Sequence, residues 1–396
     1  MPVNTICRAT LALIATLVVG CILSLPVNAA ERIGKVQTVL GLIPPADLGV
    51  TLMHEHLFIE FTLPLDEPQR WQLAGRRLPR TAAELETWNM PVTMDRLAFL
   101  HAHVWENRDL LSVQDVDTTL AEVMAFKSAG GGAIVDVTSI GLGRDPRKLV
   151  EIARRSRIPI VMGAGWYRSA WHPAGHADRD VASLTDEIVR DITVGVGDSG
   201  VRAGIIGEVS AMEIVTDPQD SAEVKGVRAA ARASRLTGAA ITLHQWVRDG
   251  VALTKTLDII EQEGGDLTRV VVGHIDAVTA ANIPRLASIA RRGVTLEFDL
   301  FGTPYTLSDP RLDARPMADT IAELVKAGFA DRLLMSHDVC TKLQQKAYGG
   351  KGFDYLLLQV VPYLQQRGVS AEHIRTIMVN NPRRILAFVA PQGPLP

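Results

Sequence analysis

Six residues in this chain have the side-chain types and settings that metal-assisted chemistry needs: His54, His56, Glu208, His244, His274 and Asp338. Imidazole nitrogens and carboxylate oxygens without a thiolate suit Zn, Mn, Co or Fe. Each of the six follows a short apolar or β-branched run. His54 and His56 come after 50–53, Glu208 after 203–207, His244 after 240–243, His274 after 270–273 and Asp338 after 333–336. Two residues apart on an extended segment, His54 and His56 point the same way and can reach one ion together. A lone histidine at a strand end is more often a hydrogen-bonded core residue than a ligand. Four of them with two carboxylates at equivalent places instead suit two divalent ions, zinc first among the options, sharing a carboxylate. Glu208 carries most of this reading, because an acid ending the apolar run 203–207 is costly unless it is paired or coordinated.

The elements that must position these groups are legible as an alternation. Apolar runs at 50–53, 133–137, 158–164, 203–207, 240–243, 270–273, 294–298 and 333–336 give eight strands, with amphipathic stretches at 113–128, 146–155, 180–195, 218–236, 251–262, 283–291 and 317–327 between them. Nearly continuous apolar strands belong in a parallel sheet covered on both faces, and eight such units close into an α/β fold, a single (β/α)8 TIM barrel. All six candidates then fall at C-terminal strand ends, the face that carries the active site in such barrels. A long insertion after strand one, 61–111, contains Pro64, Pro68, Pro79 and Pro91 and is expected to form a rim or lid. Helices are expected at 355–366 and 371–378, with Asn381-Pro382 opening a last one. No linker or composition shift divides 30–396, which is taken as one domain.

The first 29 residues differ from the rest. Arg8 precedes an apolar run from residue 9 to 25, and Pro26-Val27-Asn28-Ala29-Ala30 places small residues at a cleavage position. This predicts a secretory signal peptide and an exported, periplasmic or secreted, protein. Val18-Val19-Gly20-Cys21 also fits a lipid-attachment pattern, the one route by which a membrane would become a partner. With Cys7 and Cys21 in the removable segment, only Cys340 remains, which excludes an intrachain disulfide. The 396 residues are 47% hydrophobic and 21% charged with a net charge of -3, an ordinary globular balance without a basic footprint for nucleic acid. The expected partner is a small-molecule substrate, and a homodimer is compatible.

Several motifs then align with one family. Thr38-Val39-Leu40-Gly41, Leu48-Gly49-Val50-Thr51-Leu52-Met53-His54-Glu55-His56, Ala203-Gly204-Ile205-Ile206-Gly207-Glu208, Thr242-Leu243-His244, Val272-Gly273-His274, Glu297-Phe298-Asp299-Leu300-Phe301-Gly302, Ser336-His337-Asp338-Val339-Cys340, Tyr348-Gly349-Gly350-Lys351-Gly352-Phe353 and Asn380-Asn381-Pro382 together resemble the phosphotriesterase-related proteins of the amidohydrolase superfamily. The resemblance spans nearly all of 30–396. It implies that His54, His56 and Asp338 hold a more buried ion, that His244 and His274 hold a more exposed one, and that Glu208 bridges them. The best-known members, organophosphate and quorum-lactone hydrolases, bridge with a carboxylated lysine; the glutamate here is similar to the phosphotriesterase-homology subgroup. The implied mechanism uses a bridging hydroxide to cleave a small ester, lactone, amide or phosphoester. Asp338 would take the proton, and His337 would act as its relay partner or simply as a hydrogen-bond donor behind the ligands.

Substrate-binding candidates are Trp166, Tyr167 and Arg168 after strand three, Phe301 after strand seven, and Lys342 and Tyr348 after strand eight. Arg168 would meet an anionic group, although each of these also reads as a packed or solvated side chain. His101-Ala102-His103 repeats the His-x-His spacing, but 95–104 reads as helix, where such neighbours diverge. His172 and His176 have metal-like spacing interrupted by Pro173 and Gly175, so both pairs are expected in loops or on the surface. Against a hydrolase stand a metal-stabilised periplasmic binding protein and, within the superfamily, a cyclic amide hydrolase. The complete ligand set, including the base Asp338, favours the hydrolase.

Overall fold

The computed structural model describes residues 29–216, 221–245, 250–277, 282–304 and 313–393. Arg8, Cys7, Cys21 and the rest of the segment up to residue 28 lie outside the described residues. One sheet contains eight strands in sequence order: β1 (Val50–Glu55), β2 (Gly131–Asp136), β3 (Ile160–Ala164), β4 (Ile205–Ser210), β5 (Ile241–His244), β6 (Val270–Val272), β7 (Thr295–Phe298) and β8 (Leu333–Met335). Every adjacent pair is parallel. β8 returns to β1, where the His54 amide donates to Ser336 Oγ at 3.0 Å and the Asp338 amide to the His54 carbonyl at 3.1 Å. The sheet is thus a nearly closed barrel, and all eight expected strands are present.

Helices α1 (Val116–Ser128), α2 (Pro146–Ser156), α3 (Val181–Thr193), α4 (Ala222–Thr237), α5 (Val251–Gln262), α6 (Ile283–Ala290) and α7 (Ala314–Lys326) follow β1 to β7 in turn. Their starts are set by side chains that accept the first free amides: Asp115 caps α1, Asp145 α2, Asp180 α3, Ser221 α4 and Asp313 α7. After β8 the chain runs through a π-helical turn, Leu356–Val360, into α8 (Val361–Gln366), then α9 (Ala371–Arg375) and, after a second such turn, α10 (Asn381–Leu386).

Packing divides along the strands by parity. Val135, Val161, Ile205, Val271 and Leu334 form the barrel interior with Val36, Leu48, Ile385 and Leu386, whereas Ile134, Met162, Ile206, Val272 and Leu333 pack with the helices. Two strands break this alternation: the register shifts between Leu52 and Glu55 in β1 and between Ile206 and Val209 in β4. Ile206 and Val209 both face the helices although three residues apart, so one residue is inserted between them, and Glu208 is turned inward.

The insertion is closed at its base by Phe61 N donating to Leu111 O at 2.8 Å, beside an antiparallel pair, Ile59–Glu60 with Ser112–Val113. It holds helices Pro68–Leu73, Ala82–Asn89 and Leu97–His101. The helix expected over 95–104 is shorter, because 94–96 and 104–106 tighten into 3-10 turns and His103 lies outside it.

Candidate metal centre

The six candidates meet at the C-terminal end of the barrel. Around Glu208, His54 Nε2 and His56 Nε2 each lie 3.4 Å from a carboxylate oxygen, His244 Nδ1 2.9 Å and His274 Nε2 3.7 Å. Asp338 Oδ1 is 3.1 Å from His56 Nε2. His54, His56 and Asp338 offer three ligand atoms within 4.8 Å of one another, and so do His54, Glu208 and His274. Two of these atoms face each other directly: His274 Nε2 and His244 Nδ1 are 2.8 Å apart. Neither ring nitrogen of fully buried His54 makes a well-formed hydrogen bond. Imidazole nitrogens gathered round one carboxylate, with both nitrogens of buried His54 unsatisfied, fit the donor set of divalent cations.

Behind the cluster, His56, His244 and His274 are held by a hydrogen bond at the other nitrogen, and His54 faces two carboxylates. His54 Nδ1 lies 3.1 Å from Asp299 Oδ2 and 3.5 Å from Glu297 Oε2. His274 Nδ1 is 2.9 Å from Asp299 Oδ1, His56 Nδ1 2.9 Å from Thr138 Oγ1, and His244 Nε2 3.2 Å from the Tyr167 hydroxyl. Such outer partners fix ring orientation and tautomer. Asp299, Glu297 and Thr138 were not singled out from the sequence as site residues. Asp299 and Glu297 stood inside a quoted motif, where two acids at the end of an apolar strand were the available signal. Two of the six candidates also occupy the left-handed backbone region, His274 at φ 56° and Asp338 at φ 50°. That conformation costs a non-glycine residue about 1–2 kcal/mol, and it is held by bonds from the His274 amide to Asp299 at 3.1 Å and from the Asp338 amide to His54 O.

Electrostatics follow from this crowding. Burial opposes charge on His54 and His274, yet Asp299, followed by Glu208, raises both well above the usual imidazole range. Burial likewise opposes charge on His56, but Asp338 and Glu208 raise it to about 9. His244, buried and beside His274, falls to about 4 despite Glu208. Burial would raise Glu208, and His244, His274 and His54 instead hold it well below the usual carboxylate range. Glu297 is raised to about 7 by burial, and Asp338 is raised by burial against the pull of His56. Protons on the imidazoles thus balance the carboxylates where cations would otherwise do so.

Glu55, also buried, fastens the β8–β1 seam by accepting from Ser336 Oγ, the His337 amide and Nδ1, and the Val339 amide at 2.8–3.1 Å. His337 Nε2 accepts from the Leu356 amide at 3.2 Å. Both nitrogens of His337 are therefore committed away from the cluster, the arrangement of a hydrogen-bonded neighbour and not of a relay. Trp166 and Phe301 are buried in the core between strands and helices, in keeping with the packed alternative. Tyr167 is brought to the site through His244, whereas Arg168 donates to the carbonyls of Leu73 at 3.1 Å and Ala74 at 3.5 Å. Lys342 pairs with Asp109 at 2.6 Å and lies over the Tyr348 ring, tying the loop after β8 to the insertion. His172 and His176 are in a loop as expected but are buried, not on the surface, with rings 4.0 Å apart. Burial lowers them to about 3 and about 4, so both are neutral.

A (β/α)8 barrel with a histidine and carboxylate cluster at its C-terminal strand ends defines a metal-dependent hydrolase. The chain belongs to the phosphotriesterase family, whose model matches residues 34–386. It is 32% identical to the N-acetyltaurine hydrolase of Dictyostelium discoideum, over 91% of this chain and 99% of that protein. It is 33% identical to the mouse (Mus musculus) protein of the same name, over 90% and 98%. Among solved structures, a resiniferatoxin-binding protein from Rhodobacter sphaeroides superposes with a TM-score of 0.77 at 32% identity, covering 91% of this chain and 97% of that one.

Proposed function

We propose that this protein is a binuclear metal-dependent amidase that hydrolyses small N-acyl compounds whose amine portion carries an anionic group. The observation that carries the metal half of this reading is the convergence of four imidazole nitrogens on Glu208, each ring facing an outer partner with its other nitrogen. His54, His56 and Asp338 would hold one divalent cation and His244 and His274 the second, with Glu208 between them. Such cations supply Lewis acidity, polarising a carbonyl and acidifying water at neutral pH.

This chain's own groups do the rest. Asp338 is the more exposed carboxylate of the cluster, its side chain 13% accessible against 3% for Glu208. It is placed to accept the proton released on attack and to return it to the departing amine. As a ligand through Nδ1, which faces Glu208 at 2.9 Å, neutral His244 would carry its hydrogen on Nε2 and donate it to Tyr167 Oη. The phenolic hydrogen is then left to donate to the substrate carbonyl, stabilising negative charge that develops on its oxygen. The amide preference is supported by the name N-acetyltaurine hydrolase, shared by the Dictyostelium discoideum and mouse relatives. Arg168 supports the anionic group: it bonds backbone carbonyls, not a carboxylate, and its charge reaches both His244 and Tyr167.

A panel of N-acetyltaurine, N-acetyl amino acids, lactones, aryl esters and phosphotriesters, offered to zinc- and manganese-loaded protein, tests this. The expected result is cleavage of the anionic N-acetyl compounds with the highest kcat/KM. Turnover of lactones or phosphotriesters without any amide cleavage contradicts it.

A further inference from the structure

The insertion after β1 reaches the metal centre through a chain of stacked side chains. Arg76, on the segment after helix Pro68–Leu73, has its guanidinium 4.6 Å from the ring centre of Phe61, 4.5 Å from Trp105 and 5.1 Å from Trp171, and donates to Phe61 O at 3.1 Å. Phe61 and Trp171 lie parallel, 4.7 Å apart and inclined by 9°. Both press on Tyr167, at 5.7 and 5.4 Å. Tyr167 in turn packs edge-on against His244 at 4.5 Å and meets its Nε2 through the hydroxyl.

A half-buried planar cation that engages several ring faces at once fixes their relative positions, and neither lysine nor an apolar side chain reproduces that geometry. The insertion is also clamped to the same loop by Arg70 donating to Ala170 O at 3.2 Å and by Arg168 donating back to Leu73 O. The loop after β3, and with it Tyr167, therefore takes its position from the insertion as well as from the barrel.

We infer that Arg76 is a positioning residue for the metal centre, acting through Tyr167 on His244 and so on the affinity of the cation that His244 and His274 hold. The inference rests on the two-ion reading proposed above. Outer-shell support of a ligand histidine is worth about 10–100-fold in metal affinity. Arg76 lies two residues further out than Tyr167, behind Phe61 and Trp171, and the lower end of that range, about 10-fold, is expected.

The test is a cobalt titration of the whole metal-stripped protein, followed by bound-metal analysis and by the visible Co(II) spectrum, with melting curves to confirm folding. Wild-type protein should take up two ions. Arg76→Met should weaken one of them about 10-fold and leave the other unchanged, and Arg76→Lys should fall between. In a Tyr167→Phe background, Arg76→Met should add little further, because the route to His244 is already cut. Two unchanged affinities in Arg76→Met, or the same loss with and without Tyr167→Phe, overturn the inference. Wild-type protein that binds fewer than two ions overturns the two-ion reading and this inference with it, a result distinct from the other two.

Discussion

Glu208 sits among four imidazoles, and without cations the balance of charge there is kept by protons. His54, His56 and His274 are raised above the usual imidazole range, burial opposing but Asp299, Asp338 and Glu208 prevailing. A group whose folded-state pKa is raised stabilises the fold fully below its unfolded value, about 6.5 for histidine. That contribution is lost as pH rises through the folded value, about 9 for His56. Metal ions compete for the same nitrogens, so their binding must expel these protons. Zinc or manganese affinity is expected to increase from pH 6.5 to about 9. Calorimetry in buffers of different ionisation enthalpy should show net proton release on binding near pH 7, and binding without proton release contradicts the protonated cluster. The six candidate ligands were legible in the sequence because each is a titratable residue ending an apolar run. Their outer partners were not, since Thr138, Tyr167 and Asp299 become partners only when neighbouring strands come into register. For His337 the sequence left a relay and a hydrogen-bonding role open, and the fold turns both of its nitrogens to Glu55 and the Leu356 amide.

Among the elements, β4 places the most demanding ligand and shows where strand reading fails. Period-two alternation sends residues of Ile206's parity toward the helices, and Glu208 would follow; the register shift before Val209 turns it inward. Gly207 makes room for that shift. Its φ is +136°, and a Cβ there would lie 2.3 Å from the Thr242 carbonyl oxygen on β5, a backbone atom that cannot step aside. Gly207→Ala is expected to lower stability by about 2–3 kcal/mol through overpacking and to reduce metal retention by displacing Glu208. Thermal melts of the metal-free and metal-loaded variant check this, and melting temperatures equal to wild type in both states contradict it. The eight strands and seven following helices were readable from apolar runs and amphipathic spacing. The irregularities of β1 and β4 were not, because an inserted residue leaves no mark in a run of small apolar side chains.

For the molecule as a whole, the fold class followed from repetition: eight apolar runs alternating with amphipathic stretches admit few arrangements other than a closed parallel barrel. The insertion was recognisable by its length and prolines, but its attachments were hidden. Its links through Arg76 to the aromatic cluster, through Arg168 to the loop after β3 and through Lys342 to the loop after β8 join residues distant in the chain. The account stands or falls on whether the end of the barrel holds two divalent ions across Glu208. The most direct measurement is elemental analysis of purified wild-type protein beside Glu208→Gln, a substitution that keeps shape and removes the charge between the cations. The expectation is about two ions per chain in the wild type. For Glu208→Gln it is no more than one ion, with an unchanged circular dichroism spectrum and hydrolysis of the verified substrate reduced about 100-fold or more. Chelation should abolish wild-type hydrolysis, and zinc, manganese or cobalt should restore it. Full activity in metal-free protein, or two tightly held ions in Glu208→Gln, would contradict the account.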